Sequence, residues 1–319
     1  MKNLRRIIVY AAVVASVWLA VCAVAGIVAA EMALHPGRSV EGTKSQELAA
    51  AIAKSHQATL TDASVMARDD AILRGWSMRP VHGNGDAVIL LHGHTDNRAG
   101  MLGYADLMLR HGYSVVLVDA RAHGVSGGDL ATYGVLEADD VRRWYDWIAQ
   151  AESPRCIFGL GESMGAAQLL NSLGADSEGK GREFCAVVAE SPFASFREAS
   201  YDRLAEKLHA GAWLGRTLLR PAVDAGFLYA RWKYGVDLEL ASPEDAVAES
   251  TVPVLLIHGL KDTNLPPRHS EMILARSDAR GAAVALWEPE GAGHTGAASA
   301  KPEEFERRVI GWFESHDHH

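Results

Sequence analysis

Cys156-Ile157-Phe158-Gly159-Leu160-Gly161-Glu162-Ser163-Met164-Gly165-Ala166-Ala167-Gln168-Leu169-Leu170 is the stretch on which the fold turns. The run from Cys156 to Leu160 reads as a strand covered on both faces, as in a parallel sheet. Ala166 through Leu170 is strong helix former. Between them lies G-x-S-x-G, the pattern of a sharp strand-to-helix turn. Such a turn forces the central serine into a strained backbone, and small residues two positions either side relieve the crowding. Ser163 is thereby presented at a helix start, where backbone N–H groups favour developing negative charge. It is the candidate nucleophile.

The rhythm continues on both sides. Apolar runs recur at Ala87–Leu91, Ser114–Val118, Cys185–Ala189, Val254–Ile257 and Val284–Trp287. Helical spacing separates most of them. Val141, Trp144, Tyr145 and Ile148 fall on one face, as do Phe305, Val309, Trp312 and Phe313. Strands alternating with helices predict a doubly wound, mostly parallel α/β sheet. Ser64–Val81, broken at Arg68-Asp69-Asp70, adds two antiparallel strands. One interval breaks the pattern. Residues 192–250 lack a strand and are rich in large apolar residues, including Trp213, Leu218, Phe227, Leu228, Tyr229 and Trp232. That is too long for a bare loop, so a helical lid over the C-terminal edge of the sheet is expected there.

A serine hydroxyl needs a base to take its proton. Two strand ends further along offer partners in the order acid, then histidine. His258-Gly259-Leu260-Lys261-Asp262 follows one strand, and Glu290-Gly291-Ala292-Gly293-His294 follows the next. His294 is the candidate general base and Asp262 the acid behind it. Glu190 is the rival acid; His258 and His123 are the rival bases. Asp262 is preferred because its Gly- and Pro-containing surroundings suit an exposed site loop. Two converging backbone N–H groups, from Met164 and from His94 in the loop Leu91-His92-Gly93-His94, would hold an oxyanion. His92 reads as structural.

These segments, with Asp119-Ala120-Arg121-Ala122-His123-Gly124-Val125-Ser126, resemble α/β-hydrolases of the serine aminopeptidase and monoglyceride-lipase type over about residues 64–315. The resemblance implies an eight-stranded sheet, a helical cap after the sixth strand, and hydrolysis of esters, acylglycerols or peptides. Ala122 replaces the usual glycine of its stretch, which is structural in that family. A serine at the turn excludes dehalogenase chemistry, which needs an aspartate nucleophile there.

The N-terminus lies outside the resemblance. Lys2, Arg5 and Arg6 precede Ile7–Ala30, an uncharged run of about 24 residues, and about 20 helical residues span a hydrocarbon core. Length favours a retained anchor over a signal peptide. The basic flank places the N-terminus in the cytoplasm and the remainder outside. Val28-Ala29-Ala30 offers a cleavage site, so secretion after removal of a signal is the alternative. Cys22 reads as a membrane-embedded apolar residue rather than a lipoprotein cysteine. Cys156 and Cys185 precede neighbouring strands; a disulfide is one reading, and two buried free thiols the preferred one.

The expected division is an anchor at 1–30, a connector at 31–63 with a short amphipathic helix on the weak stripe Leu48, Ala51, Ile52 and Ser55, a hydrolase core at 64–191 and 251–315, and a lid at 192–250. The 319 residues carry a net charge of −9, which argues against a nucleic-acid partner. No metal site or cofactor follows; the terminal His316, Asp317, His318 and His319 read as a polar tail. A small ester or acyl compound is the expected substrate. A peptidase or amidase using the same triad would need a lid charge such as Glu198, Asp202, Glu206 or Asp224. A catalytically silent binding protein is the non-enzyme alternative.

Overall fold

The computed structural model describes residues 2–174, 183–207, 209, 211–277 and 283–317; His318 and His319 of the tail lie outside them. Packing divides the chain into two compact units, Met1–Leu34 with Phe196–Glu239, and His35–Ser195 with Leu240–His319.

In chain order, the larger unit's sheet is built from β1 (Ala58–Met66), β2 (Ile72–Pro80), β3 (Ala87–Leu91), β4 (Ser114–Val118), β5 (Ile157–Glu162), β6 (Val187–Glu190), β7 (Val254–Ile257) and β8 (Val284–Trp287). They form one eight-stranded sheet in the order β1-β2-β4-β3-β5-β6-β7-β8. β2 is antiparallel to both its neighbours, and every other pairing is parallel. This is the mostly parallel sheet expected from the sequence.

The helices are α1 (Lys2–Leu34), α2 (Thr43–Ser55), α3 (Leu102–Arg110), α4 (Glu137–Glu152), α5 (Met164–Gly174), α6 (Phe196–Lys207), α7 (Ala212–Arg216), α8 (Arg220–Tyr234), α9 (Pro243–Ala248), α10 (Arg268–Arg276), α11 (Ala297–Ala300) and α12 (Pro302–Ser315). Those of the larger unit sandwich the sheet. Val88 and Leu90 of β3 join one core with Leu117, Phe158, Val309 and Phe313. Ala87, Ile89 and Leu91 join the other with Val116, Trp144, Leu169 and Ile273. Alternate residues of one strand therefore serve two cores, which is why the strands read as unbroken apolar runs.

The segment read as a connector holds a helix, α2, and the first part of β1. α1 runs on to Leu34, α2 buries Ala49 and Ala53 in the first core, and β1 begins at Ala58. β1 is an edge strand with one fully buried residue, Ala63, and it begins six residues before the expected start at Ser64. The strands β5 and β6 corrected another expectation: Cys156 and Cys185, at their starts, form a disulfide with Cα atoms 5.8 Å apart. Adjacent parallel strands bring equivalent ends within bridging distance, and that geometry is invisible in the sequence.

In the smaller unit, α6, α7 and α8 occupy the interval expected to be helical. Phe196 stacks on Phe227, and the Arg197 guanidinium lies 4.7 Å over the Phe227 ring. The α1 helix packs along α8. A Cβ at Gly26 would stand 2.0 Å from the Ala222 carbonyl oxygen, so only glycine permits this approach. Beyond the seam, Glu31 accepts hydrogen bonds from Tyr229, Lys233 and Tyr234.

Candidate active site

The turn after β5 is as tight as its sequence demands. Ser163 sits at φ +52°, a left-handed conformation that costs a non-glycine residue on the order of 1–3 kcal/mol. A Cβ at Gly161 would lie 2.6 Å from the Gly165 carbonyl, and one at Gly165 would lie 2.4 Å from the Leu91 carbonyl oxygen. The turn is further held by the Ser163 N–H, which donates to the Glu190 carbonyl at 2.8 Å.

The loops after β7 and β8 meet this turn. The Lys261 N–H donates to the Ala292 carbonyl at 2.9 Å, which ties the two loops together. His294 Nδ1 lies 2.7 Å from Asp262 Oδ2, and His294 Nε2 lies 2.8 Å from Ser163 Oγ. A carboxylate accepts only, so Nδ1–H donates to Asp262 and Nε2 accepts from the serine hydroxyl. Such a chain can move a proton off the hydroxyl onto the imidazole.

Asp262 is buried and surrounded by donors. Its Oδ1 accepts the Asn264 and Leu265 N–H groups, each at 2.9 Å. His258 Nε2 lies 3.3 Å from Oδ2. Burial alone would raise this carboxyl, but the hydrogen bonds from His258 and His294, with the Leu265 N–H, outweigh it. They hold Asp262 well below the usual carboxylate range. His258 is thus a support for the acid. Its Nδ1 accepts from the Ser270 hydroxyl at 2.7 Å.

The other rivals are employed elsewhere. His123 donates through Nδ1 to the Arg121 carbonyl at 2.9 Å. Glu190 accepts from the Ala297 N–H at 2.8 Å and from the Tyr104 hydroxyl at 2.9 Å. It therefore tethers the chain just beyond His294 to the end of β6. Glu162 faces the same tyrosine hydroxyl at 3.3 Å. Burial first, then the charges of Glu190 and Asp96, push Glu162 up to about 7. The two carboxyl groups share a register position on β5 and β6. Sequence reasoning weighed Glu190 as an acid and missed this cluster; its signal was two glutamates closing consecutive buried strands.

His94 and Met164, the expected oxyanion donors, lie on the loop after β3 and at the start of α5. Met164 opens α5, and the first N–H groups of a helix have no acceptor within it. The His94 N–H shares a peptide plane with the Gly93 carbonyl, and the two point in opposite directions. His92 Nδ1–H donates to that carbonyl at 2.7 Å, while His92 Nε2 accepts the Ala120 N–H at 3.1 Å. Burial holds His92 neutral, its pKa lowered to about 3. His92 therefore fixes the peptide that carries the His94 N–H. A Cβ at Gly93 would contact Ser163 Cβ at 3.5 Å, so this loop passes directly beside the serine.

Asp119 anchors the stretch with Ala122. Its carboxylate accepts the Arg98 N–H at 2.7 Å and the Val125 N–H at 3.1 Å. Ala122 adopts φ +59°, the conformation that glycine would take without strain. The four acids of the 192–250 interval are all in ion pairs: Glu198 and Asp202 with Arg216, Asp224 with Arg197 and Arg220, and Glu206 with Arg203.

Comparison with known proteins places this arrangement. A model described as "Alpha/beta hydrolase family" matches residues 88–308. "Uncharacterized protein YqkD" of Bacillus subtilis is 30% identical over 202 residues, covering 63% of this chain and 63% of its own. "Uncharacterized protein YfhR" of Escherichia coli is 27% identical over 215 residues, covering 65% and 64%. The chain thus spans slightly less than two thirds of the length of these curated relatives. Among solved structures, the Pyrococcus furiosus esterase Pf2001 superposes with a TM-score of 0.68 at 25% identity, covering 88% of this chain and 97% of that one. An acylaminoacyl peptidase of Pyrococcus horikoshii, at 18% identity and a TM-score of 0.60, covers 81% of this chain and 41% of that one and shares the fold.

Proposed function

The chain belongs to the alpha/beta hydrolase family, and from that premise we propose that it is a serine hydrolase cleaving a carboxylic ester through an acyl-enzyme. The observation that carries the proposal is the hydrogen-bonded series from Ser163 Oγ to His294 and on to Asp262, at 2.8 and 2.7 Å. Ser163 Oγ attacks the ester carbonyl as His294 Nε2 takes its proton. Asp262 keeps the imidazole in the Nδ1–H tautomer and stabilises the imidazolium. The His94 and Met164 N–H groups hold the oxyanion, each worth about a hundredfold or more in rate. His294 then protonates the departing alkoxide, breaking the ester C–O bond. In the second half, His294 deprotonates a water that attacks the acyl carbonyl, releasing the acid and restoring Ser163.

The ester reading is favoured over an amidase by the arginine pairing of Glu198, Asp202, Glu206 and Asp224, which leaves these carboxylates engaged rather than poised for a peptide amine. Likeness to the Pyrococcus esterase supports the same choice. The helical insertion at 192–250 is taken as a lid. The domain is assigned to the non-cytoplasmic side of a membrane, anchored by α1; the basic residues Lys2, Arg5 and Arg6 support this, and so does the Cys156–Cys185 disulfide, since such bonds persist in oxidising compartments.

The test is a p-nitrophenyl ester series together with a fluorophosphonate probe on the full chain. Hydrolysis and labelling are expected in the wild type. Both should be lost in Ser163→Ala, with turnover falling by about 10⁴-fold or more. A folded wild type that neither labels nor hydrolyses any chain length would leave the silent-binder reading in its place.

A further inference from the structure

The contacts between α1 and α8 fix which way α8 runs beside the anchor. Gly26 meets Ala222 and Gly226, and Gly226 in turn meets Gly26 and Ala30. Glu31 then meets Tyr229, Lys233 and Tyr234. Rising numbers on one helix match rising numbers on the other, so the pair is parallel. Cys22, Gly26, Ala30 and Leu34 form the buried edge of α1, one every four residues. Ala222, Gly226 and Ala230 answer them on α8. Small residues at this spacing let helix backbones touch, the usual means of joining helices inside lipid.

The apolar run of α1 serves as a depth scale. Ile7–Ala30 is about 36 Å long at about 1.5 Å per residue, against a hydrocarbon core of about 30 Å. The surplus is about four residues. Even with all of it at the C-terminal end, Gly26 stands at the edge of the hydrocarbon and Cys22 lies within it. Because the pair is parallel, the turn ahead of α8 is level with Cys22 or deeper. That corner bears Trp213 and Leu218, which are 71% and 54% exposed. Leu228 and Trp232, one turn apart on α8, are 68% and 82% exposed. They stand nearer the level of Glu31, where tryptophan favours the headgroup boundary. Arg231 and Lys233 cluster at this shallow end. Arg220 is paired with Asp224, its Nε 3.7 Å from the carboxylate, and its stem is long enough to reach outward.

We infer that the α7–α8 corner is a lipid-binding element, with Trp213 and Leu218 immersed among acyl chains of the leaflet on the non-cytoplasmic side and α8 rising out of it beside the anchor. The partner is the bilayer itself, and the inference rests on α1 being a membrane span. On this geometry the anchor and the lid form a single membrane-embedded piece.

The full chain in phosphatidylcholine vesicles tests this, with single cysteines placed in a Cys22→Ala background and carrying an environment-sensitive fluorophore. Val14→Cys reports the span, Leu218→Cys the corner and Lys233→Cys the shallow end. Expected are quenching of the 14 and 218 probes by nitroxides on lipid chains, and of the 233 probe by aqueous iodide. Gly26→Leu, which pries the seam apart, should carry the 218 probe into iodide's reach. A lipid-quenched 14 probe with an iodide-quenched 218 probe overturns the inference alone. An iodide-quenched 14 probe overturns the span and the inference together. Trp213→Cys replaces Leu218→Cys if the latter fails to fold. Hydrolysis of a soluble ester, measured on the same preparations, reports separately on the chemistry.

Discussion

The chain uses glycine to bring backbones into contact in two places, and the two differ in what the contact achieves. At the Ser163 turn, Gly161 and Gly165 let a strand, a turn and a helix crowd against β3, and the result is a strained serine at φ +52°. At the α1–α8 seam, Gly26 and Gly226 let two relaxed helices lie against one another. The first contact stores strain to aim one hydroxyl; the second stores none and joins two elements far apart in the chain. The same residue type therefore marks a strained strand-to-helix turn in one place and a helix seam in the other. What separates them is the sequence around them: a turn between strand and helix, or a four-residue repeat within helices.

The sharpest way to break this comparison is to add one methyl group at each. In Gly165→Ala the new carbon would press on the Leu91 and His92 carbonyl oxygens at 2.4 and 2.6 Å, both backbone atoms. Displacement of the turn and of the loop bearing His94 is expected to cost about 10²-fold in kcat/KM for a p-nitrophenyl ester and about 1–3 kcal/mol in urea stability. In Gly226→Ala the carbon would meet the Gly26 carbonyl oxygen at 2.8 Å. That oxygen is also backbone, so the seam must open; the gain of alanine over glycine in a helix, about 1 kcal/mol, offsets part of the crowding, and a stability loss smaller than at Gly165 is expected with kcat/KM unchanged. Equal losses at both sites would end the distinction.

A second test asks whether the strained region also carries buried charge. The folded pKa of Glu162 stands above its unfolded value, at about 7. The folded state therefore binds more protons than the unfolded one between about pH 4.5 and 7, and stability falls as pH rises through that window. Glu162→Gln should flatten this decline, which in the wild type amounts to about 1–3 kcal/mol by urea titration at successive pH values. An identical slope in both proteins would remove the buried carboxyl pair from the account. The smallest effect is expected at Ala122, where φ is +59° without a glycine. Ala122→Gly relieves about 1 kcal/mol of left-handed strain and gives part of it back to unfolded-chain entropy. A net gain of about 0.5 kcal/mol in urea unfolding is expected; a loss would mean the alanine methyl packs usefully.

The legibility of this molecule followed burial. Strands β3 to β8 were readable because both faces are covered and the runs are uniformly apolar. β1 was legible only from Ser64, because its first part, residues 58–63, buries just Ala63. Ser163, Asp262 and His294 were readable because each closes or follows a strand in a glycine-containing segment. The supports were not. The hydrogen bonds of His258 to Ser270 and of Glu190 to Tyr104 join residues 12 and 86 positions apart, and no local pattern announces such a partner. The small-residue repeat in α1 was present in the sequence, but its match on α8 is separated from it by almost the whole sheet.

The disulfide has a consequence for how the sheet comes apart. It joins cysteines 29 positions apart, and the whole of β5, the Ser163 turn and α5 lie between them. The neighbouring strands β5 and β6 are thus covalently registered at one end, while their other ends lead to Ser163 and carry Glu190. Partial opening must then proceed from the margins, β8 and β1, whose residues are largely half-covered or bare. Amide protons of β5 and β6 should be the last to trade with deuterium, and the scaffold of the Ser163 turn should outlast the loops that carry Asp262 and His294.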